Sequence, residues 1–259
     1  MRPESYTPAI RRELDFKGPI AKGASGMAAK RVQEWLSFHE FRTTIDSDFG
    51  TATQAAVKQF QAAKQLPATG SVDLTTWNAL VRPLMDALAD TAGATLRERL
   101  AAVARLHVQV HPIELGGDNR GPWVRVYTNG HDGADWKWCA GFVTTVLRQA
   151  CAELGVAMPI EGSVSCDTLA AQADSAGLLV TESQLTHGQK RWEDLGNAYI
   201  FLVRRTSSDW THTGLGLGGP PTAFSTAEGN TNDEGSSNGF EVCSRIRSSA
   251  SKDFIVLPV

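Results

Sequence analysis

The chain has 259 residues, a formal net charge of −3 and an apolar fraction of 42%. That is length for a small domain plus a medium one, and too many apolar residues for a disordered chain. The pI near 6.1 gives no general reason to bind nucleic acid, and no run approaches the length of a membrane span.

Residues 1–16 read as a loosely held tail. The first 23 residues carry charges throughout and lack the apolar segment of a secretory signal. The protein is therefore expected to be made in the cytoplasm and to act in the periplasm or cell wall after release or injection. A first module is expected over residues 17–84. One helix is suggested by Ala28, Val32, Trp35, Leu36 and His39. A second follows Asp48-Phe49-Gly50 and uses Ala55, Ala56, Val57, Phe60 and Ala63. A third, starting near Asp73, uses Leu74, Trp77, Leu80 and Val81. Thr51 or Thr53 and Asp73 are candidate N-caps, and Pro67 and Gly70 break the chain between helices two and three.

These residues carry a resemblance. Ile45-Asp46-Ser47-Asp48-Phe49-Gly50, Thr53, Ala56-Val57, Phe60-Gln61, Leu66-Pro67, Thr69-Gly70, Val72-Asp73 and Thr76-Trp77 with Leu80 resemble the bacterial peptidoglycan-binding domain of the three-helix type. Gly26 and Val32-Gln33-Glu34-Trp35-Leu36 fit its first helix. The resemblance implies a module that tethers the chain to bacterial peptidoglycan; the alternative for the same fold is a structural three-helix cap.

Residues 85–95, with Asp90-Thr91-Ala92-Gly93, read as a short linker. A second domain is expected over residues 96–259, opened by a helix with Leu100, Val103, Ala104 and His107 at helical spacing. His107 and His111 are four apart, but Pro112 follows at once and there is no H-E-x-x-H pattern. Four scattered cysteines, Cys139, Cys151, Cys166 and Cys243, make neither a disulfide scaffold nor a C-x-x-C zinc pair. No metal and no cofactor are expected.

Cys139 stands apart from the other three. From it, Phe142, Val143, Val146, Leu147, Ala150 and Leu154 recur at helical spacing, whereas Trp136-Lys137-Trp138 does not continue the pattern backwards. The thiol therefore sits in or near a first helical turn, where unpaired N–H groups and the helix dipole favour thiolate. Taken alone, it is better explained as a buried structural cysteine, which is what most free cysteines are. A further helix is expected over residues 165–176, ended by Gly177. Strands follow at 198–203, 211–217, 222–227, 240–247 and 254–257, separated by Gly, Ser and Asn clusters. Helices first and a meander of strands afterwards define an α+β fold with an antiparallel sheet.

His212 begins one of those strands and Glu228 lies at the end of the next, so the carboxylate is within reach of the imidazole. The chemistry would then be nucleophilic. Cys139 attacks a carbonyl, His212 moves the proton from thiol to leaving amine, and Glu228 holds the imidazole. Each residue alone has a plainer reading, His212 as a surface or satisfied core residue and Glu228-Gly229-Asn230-Thr231 as a turn.

Together, Trp138-Cys139-Ala140-Gly141-Phe142, His212-x-Gly214 and Glu228-Gly229-Asn230-Thr231 resemble, in order, the CHAP family of peptidoglycan hydrolases, relatives of the NlpC/P60 peptidases. The match spans about residues 96–259; Asn119-Arg120-Gly121 with Val124 and Tyr127 resembles the segment before the cysteine in one subgroup. The family's Gly-Asp before the central strand appears here as Gly196-Asn197. The resemblance implies a papain-like fold, no metal, and a Cys139-His212-Glu228 triad that cuts an amide of peptidoglycan. Trp138 and Asn230 are implied to bind or orient, Asn230 by supporting the histidine or the oxyanion. It implies a muramoyl-alanine amidase or a stem-peptide endopeptidase, acting as an endolysin or as an injected antibacterial toxin with a matching immunity protein. The alternatives are a non-catalytic wall-binding protein and a papain-like protease acting on protein.

Overall fold

The structure, a computed structural model, describes residues 3–232 and 239–258. Helix α1 (Pro8–Leu14) starts on Thr7, whose side chain accepts the Ile10 N–H, with proline in the first turn where an N–H is not needed. This corrects the loosely held tail. Ala9 and Ile10 are buried, and Trp77 donates its indole N–H to the Leu14 carbonyl at 2.9 Å. A seven-residue helix is too short to show a convincing period, so its anchoring appears only through tertiary partners.

Helices α2 (Met27–Phe38), α3 (Thr51–Ala63) and α4 (Leu74–Leu80) form the small N-terminal bundle, with Val32, Trp35, Phe49, Val57, Phe60, Trp77 and Leu80 buried between them. Two buried glutamines tie down its loops. Gln33 donates to Asp46 and the Asp48 carbonyl and accepts the Ser47 N–H. Gln61 does the same for Ser71 and Gly70. Asp73 caps α4 by accepting the Thr76 N–H at 2.7 Å. The start of α3 has no side-chain cap: Gly50 occupies that position, and Thr53 is drawn inward to accept from Gln33.

Helix α5 (Arg82–Ala87) runs into the expected linker, Leu88 is buried, and Thr91 donates both its N–H and its hydroxyl to Glu153. Residues 85–95 are thus fastened along their length, by contacts that composition does not reveal. Helix α6 (Leu96–Val110) then opens on a Thr95–Glu98 capping box. Helix α7 (Pro122–Tyr127) packs on α1 and α2. Trp123 meets Trp35 edge-on at 5.9 Å. Arg125 beside it is buried and holds three carboxylates: Glu13 at 2.8 Å, Glu34 at 2.6 Å and Asp132 at 3.0 Å.

Helices α8 (Cys139–Leu154), α9 (Cys166–Ser175) and α10 (Glu182–Thr186) complete the α-helices among the described residues, beside 3-10 turns at Pro3–Ser5 and Trp192–Leu195. The strands are β1 (Leu179–Val180), β2 (Tyr199–Thr206), β3 (Asp209–Gly216), β4 (Phe224–Thr231), β5 (Glu241–Arg247) and β6 (Lys252–Ile255). They form one antiparallel sheet in the order β1-β6-β2-β3-β4-β5, so the architecture is α+β. Ile200, Leu202, Leu215 and Ala227 join the same core as α6 and α8, while Tyr199, Phe201, Phe224 and Phe254 form a second, aromatic cluster. The sequence reading misses β1, because two residues cannot display alternation.

Candidate active site

The first turn of α8 is held from three sides, which fixes where Cys139 stands. Trp138 donates its backbone N–H to Asn230 Oδ1 at 3.1 Å and its indole N–H to Glu114 Oε1 at 2.8 Å. Its ring stacks on Tyr127 at 5.4 Å. Two glycines allow this approach. A Cβ on Gly141 would lie 2.1 Å from the Tyr127 carbonyl oxygen, and one on Gly229 would lie 2.8 Å from both Trp138 and Phe142. Each belongs to a motif singled out in the sequence, and each is small because backbone or ring occupies the space of a side chain.

His212 and Glu228 are positioned by the β3–β4 ladder. Its two rungs, Leu215–Ala227 and Gly216–Thr226, put Gly214 across from Glu228. By the two-residue period, His212 shares their face of the sheet. A Cβ on Gly214 would sit 2.8 Å from Glu228 Cγ, so the missing side chain lets the carboxylate cross to the imidazole. His212 Nε2 lies 2.9 Å from Glu228 Oε2. The other ring nitrogen, Nδ1, has no nitrogen or oxygen partner, and the ring interacts with the Cys139 thiol.

Charge inside the site follows from burial and pairing. His212 is 1% and Glu228 0% exposed, so little solvent screens them. Burial alone would depress the imidazole, but the Cys139 sulfur and the Glu228 carboxylate reverse this and raise it to about 9. Burial also opposes the charge of Glu228. Arg247 first and His212 second outweigh it and hold the carboxyl down at about 2. Arg247 donates to both carboxylate oxygens, at 2.8 and 2.6 Å, and the Thr226 hydroxyl adds a bond at 2.6 Å. Cys139 is held well below an ordinary thiol, foremost by the Cys166 S–H, then by His212, against burial. The two sulfurs are 3.8 Å apart.

The structure therefore brings Cys139, His212 and Glu228 together. Trp138 and Asn230 stand elsewhere in the arrangement. Trp138 is fully buried, so it orients the helix start and offers no surface to a ligand. Asn230 touches neither His212 nor Glu228 by hydrogen bond. Its oxygen takes the Trp138 N–H and its nitrogen donates to Asn119 and the Gly239 carbonyl. Support of the histidine by Asn230 is thus corrected: the amide is consumed in fixing α8. At φ 55°, Asn230 also sits in the left-handed region, which asparagine tolerates well.

Arg247, Thr226 and Cys166 are missed by the sequence reading. A buried glutamate on an inner strand requires a cation within reach. Arg247 lies on the neighbouring strand with the parity of Cys243, the residue across from Glu228. Cys166 carries a subtler signal, since it begins α9 as Cys139 begins α8. Beside this group a cleft of about 710 Å³ opens between α9 and the β2–β3 hairpin, lined by Asp167, Asp174, Arg204 and Trp210 among others. Asp167 follows Cys166, and its carboxylate accepts the Trp210 N–H at 2.7 Å.

His107 is a core residue, bonded to the Tyr127 hydroxyl and to Gln149 and lowered by burial to about 4. Among the described residues, no three His, Cys, Asp or Glu side chains gather to hold a metal ion, and no helix is long and apolar enough to cross a membrane.

Residues 25–80 match a protein family described as "putative peptidoglycan binding domain". The match covers α2, α3 and α4, so the N-terminal bundle is a peptidoglycan-binding domain and associates the chain with cell wall. No curated protein matches the chain.

Proposed function

We propose that the chain is a peptidoglycan hydrolase that cuts an amide of the wall peptide by cysteine nucleophilic catalysis. The observation that carries the reading is the buried Cys139–His212–Glu228 group on the same chain as a peptidoglycan-binding domain. Cys139 thiolate attacks the carbonyl carbon, and the developing oxyanion is met by the backbone N–H of Cys139 at the helix N-terminus. Imidazolium His212 gives its proton to the leaving amine. It then takes one from the water that releases the acyl group. Glu228 holds Nε2, leaving Nδ1 for the sulfur and stabilising the cation, while Arg247 keeps Glu228 ionised.

The cleft beside Trp210 receives the stem peptide in this reading, and the bundle raises the local concentration of wall at the scissile bond. The enzyme is a muramoyl-alanine amidase or a stem-peptide endopeptidase of the CHAP type. It works as an endolysin or as an injected toxin that an immunity protein neutralises in the producing cell. The test is clearing of purified sacculi. Cys139→Ala should lose more than about 10³-fold in rate while still sedimenting with sacculi, and iodoacetamide should stop the wild type. Clearing by Cys139→Ala at an undiminished rate refutes the proposal.

A further inference from the structure

Among the described residues, Cys166 is a nucleophilic side chain at the site that hydrolysis leaves without a chemical step of its own. Its sulfur is 3.8 Å from that of Cys139, and both cysteines are free. The proximity is built into the fold. Thr144, on the second turn of α8, donates its hydroxyl to the Ser163 carbonyl at 2.7 Å and accepts the Ser163 N–H at 2.9 Å. Ser163 in turn accepts the Ser165 N–H, and Ser165 caps α9. Gly162 closes this staple: a Cβ there would lie 2.4 Å from Thr144 Cγ2. The starts of α8 and α9 are thereby fastened together, with one thiol on each.

We propose that Cys166 is the resolving thiol of an oxidative switch, in which a hydroperoxide oxidises Cys139 and Cys166 closes a reversible disulfide onto it. The switch rests on Cys139 being the nucleophile of the proposed hydrolase. In the first step the Cys139 thiolate attacks one peroxide oxygen. The O–O bond breaks, the departing hydroxide (or alkoxide) takes a proton, and Cys139 becomes a sulfenic acid. In the second step the Cys166 sulfur attacks the Cys139 sulfur as its S–H proton leaves. The S–O bond breaks and the hydroxide departs with that proton as water. For hydrogen peroxide, two thiols and one peroxide give one disulfide and two waters.

The sulfurs must close from 3.8 Å to about 2.05 Å. Each lies on the first residue of a helix, so side-chain rotation and a small shift of one helix start supply the distance. At rest the neighbouring Cys139 sulfur and burial push the Cys166 thiol up, so it stays protonated and does not compete for substrate. Both residues are buried, so a peroxide reaches the sulfurs through local opening at the two helix starts.

The experiment treats the purified full chain with hydrogen peroxide, then maps peptides by mass spectrometry without reduction. In parallel it follows clearing of sacculi before and after dithiothreitol. Wild type should yield a peptide linked through Cys139 and Cys166, lose at least tenfold in rate, and recover on reduction. Cys166→Ala and Cys166→Ser, each scored against its own untreated rate and checked for folding by circular dichroism, should lose activity without recovery. Their Cys139 has no resolving thiol and proceeds to the sulfinic acid. An absent linked peptide in wild type, or equal recovery of the variants, overturns the switch. So does a linked enzyme that still clears sacculi at its untreated rate. The mass measurement needs no turnover, so a missing linkage condemns the switch alone. Untreated Cys139→Ala that clears sacculi condemns the hydrolase reading, and the switch with it.

Discussion

At the scale of single residues, the His212–Glu228–Arg247 chain sets the charge on which the proposed chemistry depends. His212 is raised to about 9, so its imidazolium persists up to that pH and is lost above it. Cys139 is lowered, so thiolate and imidazolium coexist across neutral pH. The rate on sacculi should therefore hold to about pH 9 and fall beyond it; an alkaline limb near the ordinary histidine value of 6.5 contradicts this coupling. The acid side belongs partly to Glu228, lowered to about 2 by Arg247 and His212 against burial. Its contribution to stability is present above the ordinary value of 4.5 and disappears as pH falls toward 2. Replacing Arg247 removes a cation from that carboxylate, so Arg247→Ala should move the acid limb of the pH–rate profile upward, and Arg247→Lys should restore part of it. An unmoved limb would make Arg247 merely structural. His212→Ala should be nearly as damaging as Cys139→Ala. Glu228→Ala should cost less and Glu228→Gln least, since removal of the orienting carboxylate is milder than removal of nucleophile or base. Rates for the four variants decide the order, and a wild-type rate for Glu228→Ala would remove Glu228 from the group.

At the scale of elements, the start of α8 was legible in part. The apolar spacing from Phe142 to Leu154 locates the helix and Cys139 at its first residue, because that pattern is local. What holds the start was hidden. Asn230 is 92 positions from the Trp138 N–H that it accepts, and Tyr127 packs against Gly141 through a backbone oxygen that no side-chain pattern reports. Shorter separations, 19 and 27 positions, were enough to hide Arg247 from Glu228 and Cys166 from Cys139. Strand positions were readable from their flanking Gly and Ser clusters, but Glu228 lies inside β4 rather than at its end. Two substitutions test the seating of α8. Gly141→Ala should destabilise by about 1–3 kcal/mol through overpacking against Tyr127. Asn230→Ala should cost about 1–3 kcal/mol by leaving the buried Trp138 N–H without an acceptor. Urea unfolding monitored by tryptophan fluorescence measures both, and wild-type midpoints would contradict the packing described.

At the scale of the molecule, the bundle and the sheet domain share an apolar core, and Arg125 joins them through Glu13 and Glu34. A tether held on a free linker would let either part fold and work alone. The buried pairing argues for a single cooperative unit. Arg125→Ala leaves the buried Glu13 and Glu34 only their longer ion pairs to Arg31 at 3.5 Å and Lys30 at 3.7 Å, and should cost about 3 kcal/mol. Calorimetry should give one unfolding transition for the full chain and one, at lower temperature, for the variant. Two separate transitions in the wild type would show that the halves are independent. Removal of residues 1–84 should likewise impair folding of the remainder, because it uncovers Trp123 and strips Arg125 of Glu13 and Glu34. The central claim, that Cys139 cuts an amide of the wall, is tested most directly by mass spectrometry of muropeptides released from purified sacculi. Wild type should release fragments carrying one added water at a single amide position, with the glycan bonds intact, and Cys139→Ala should release none. Fragments broken at glycosidic bonds, or the same amide products from Cys139→Ala, would contradict it.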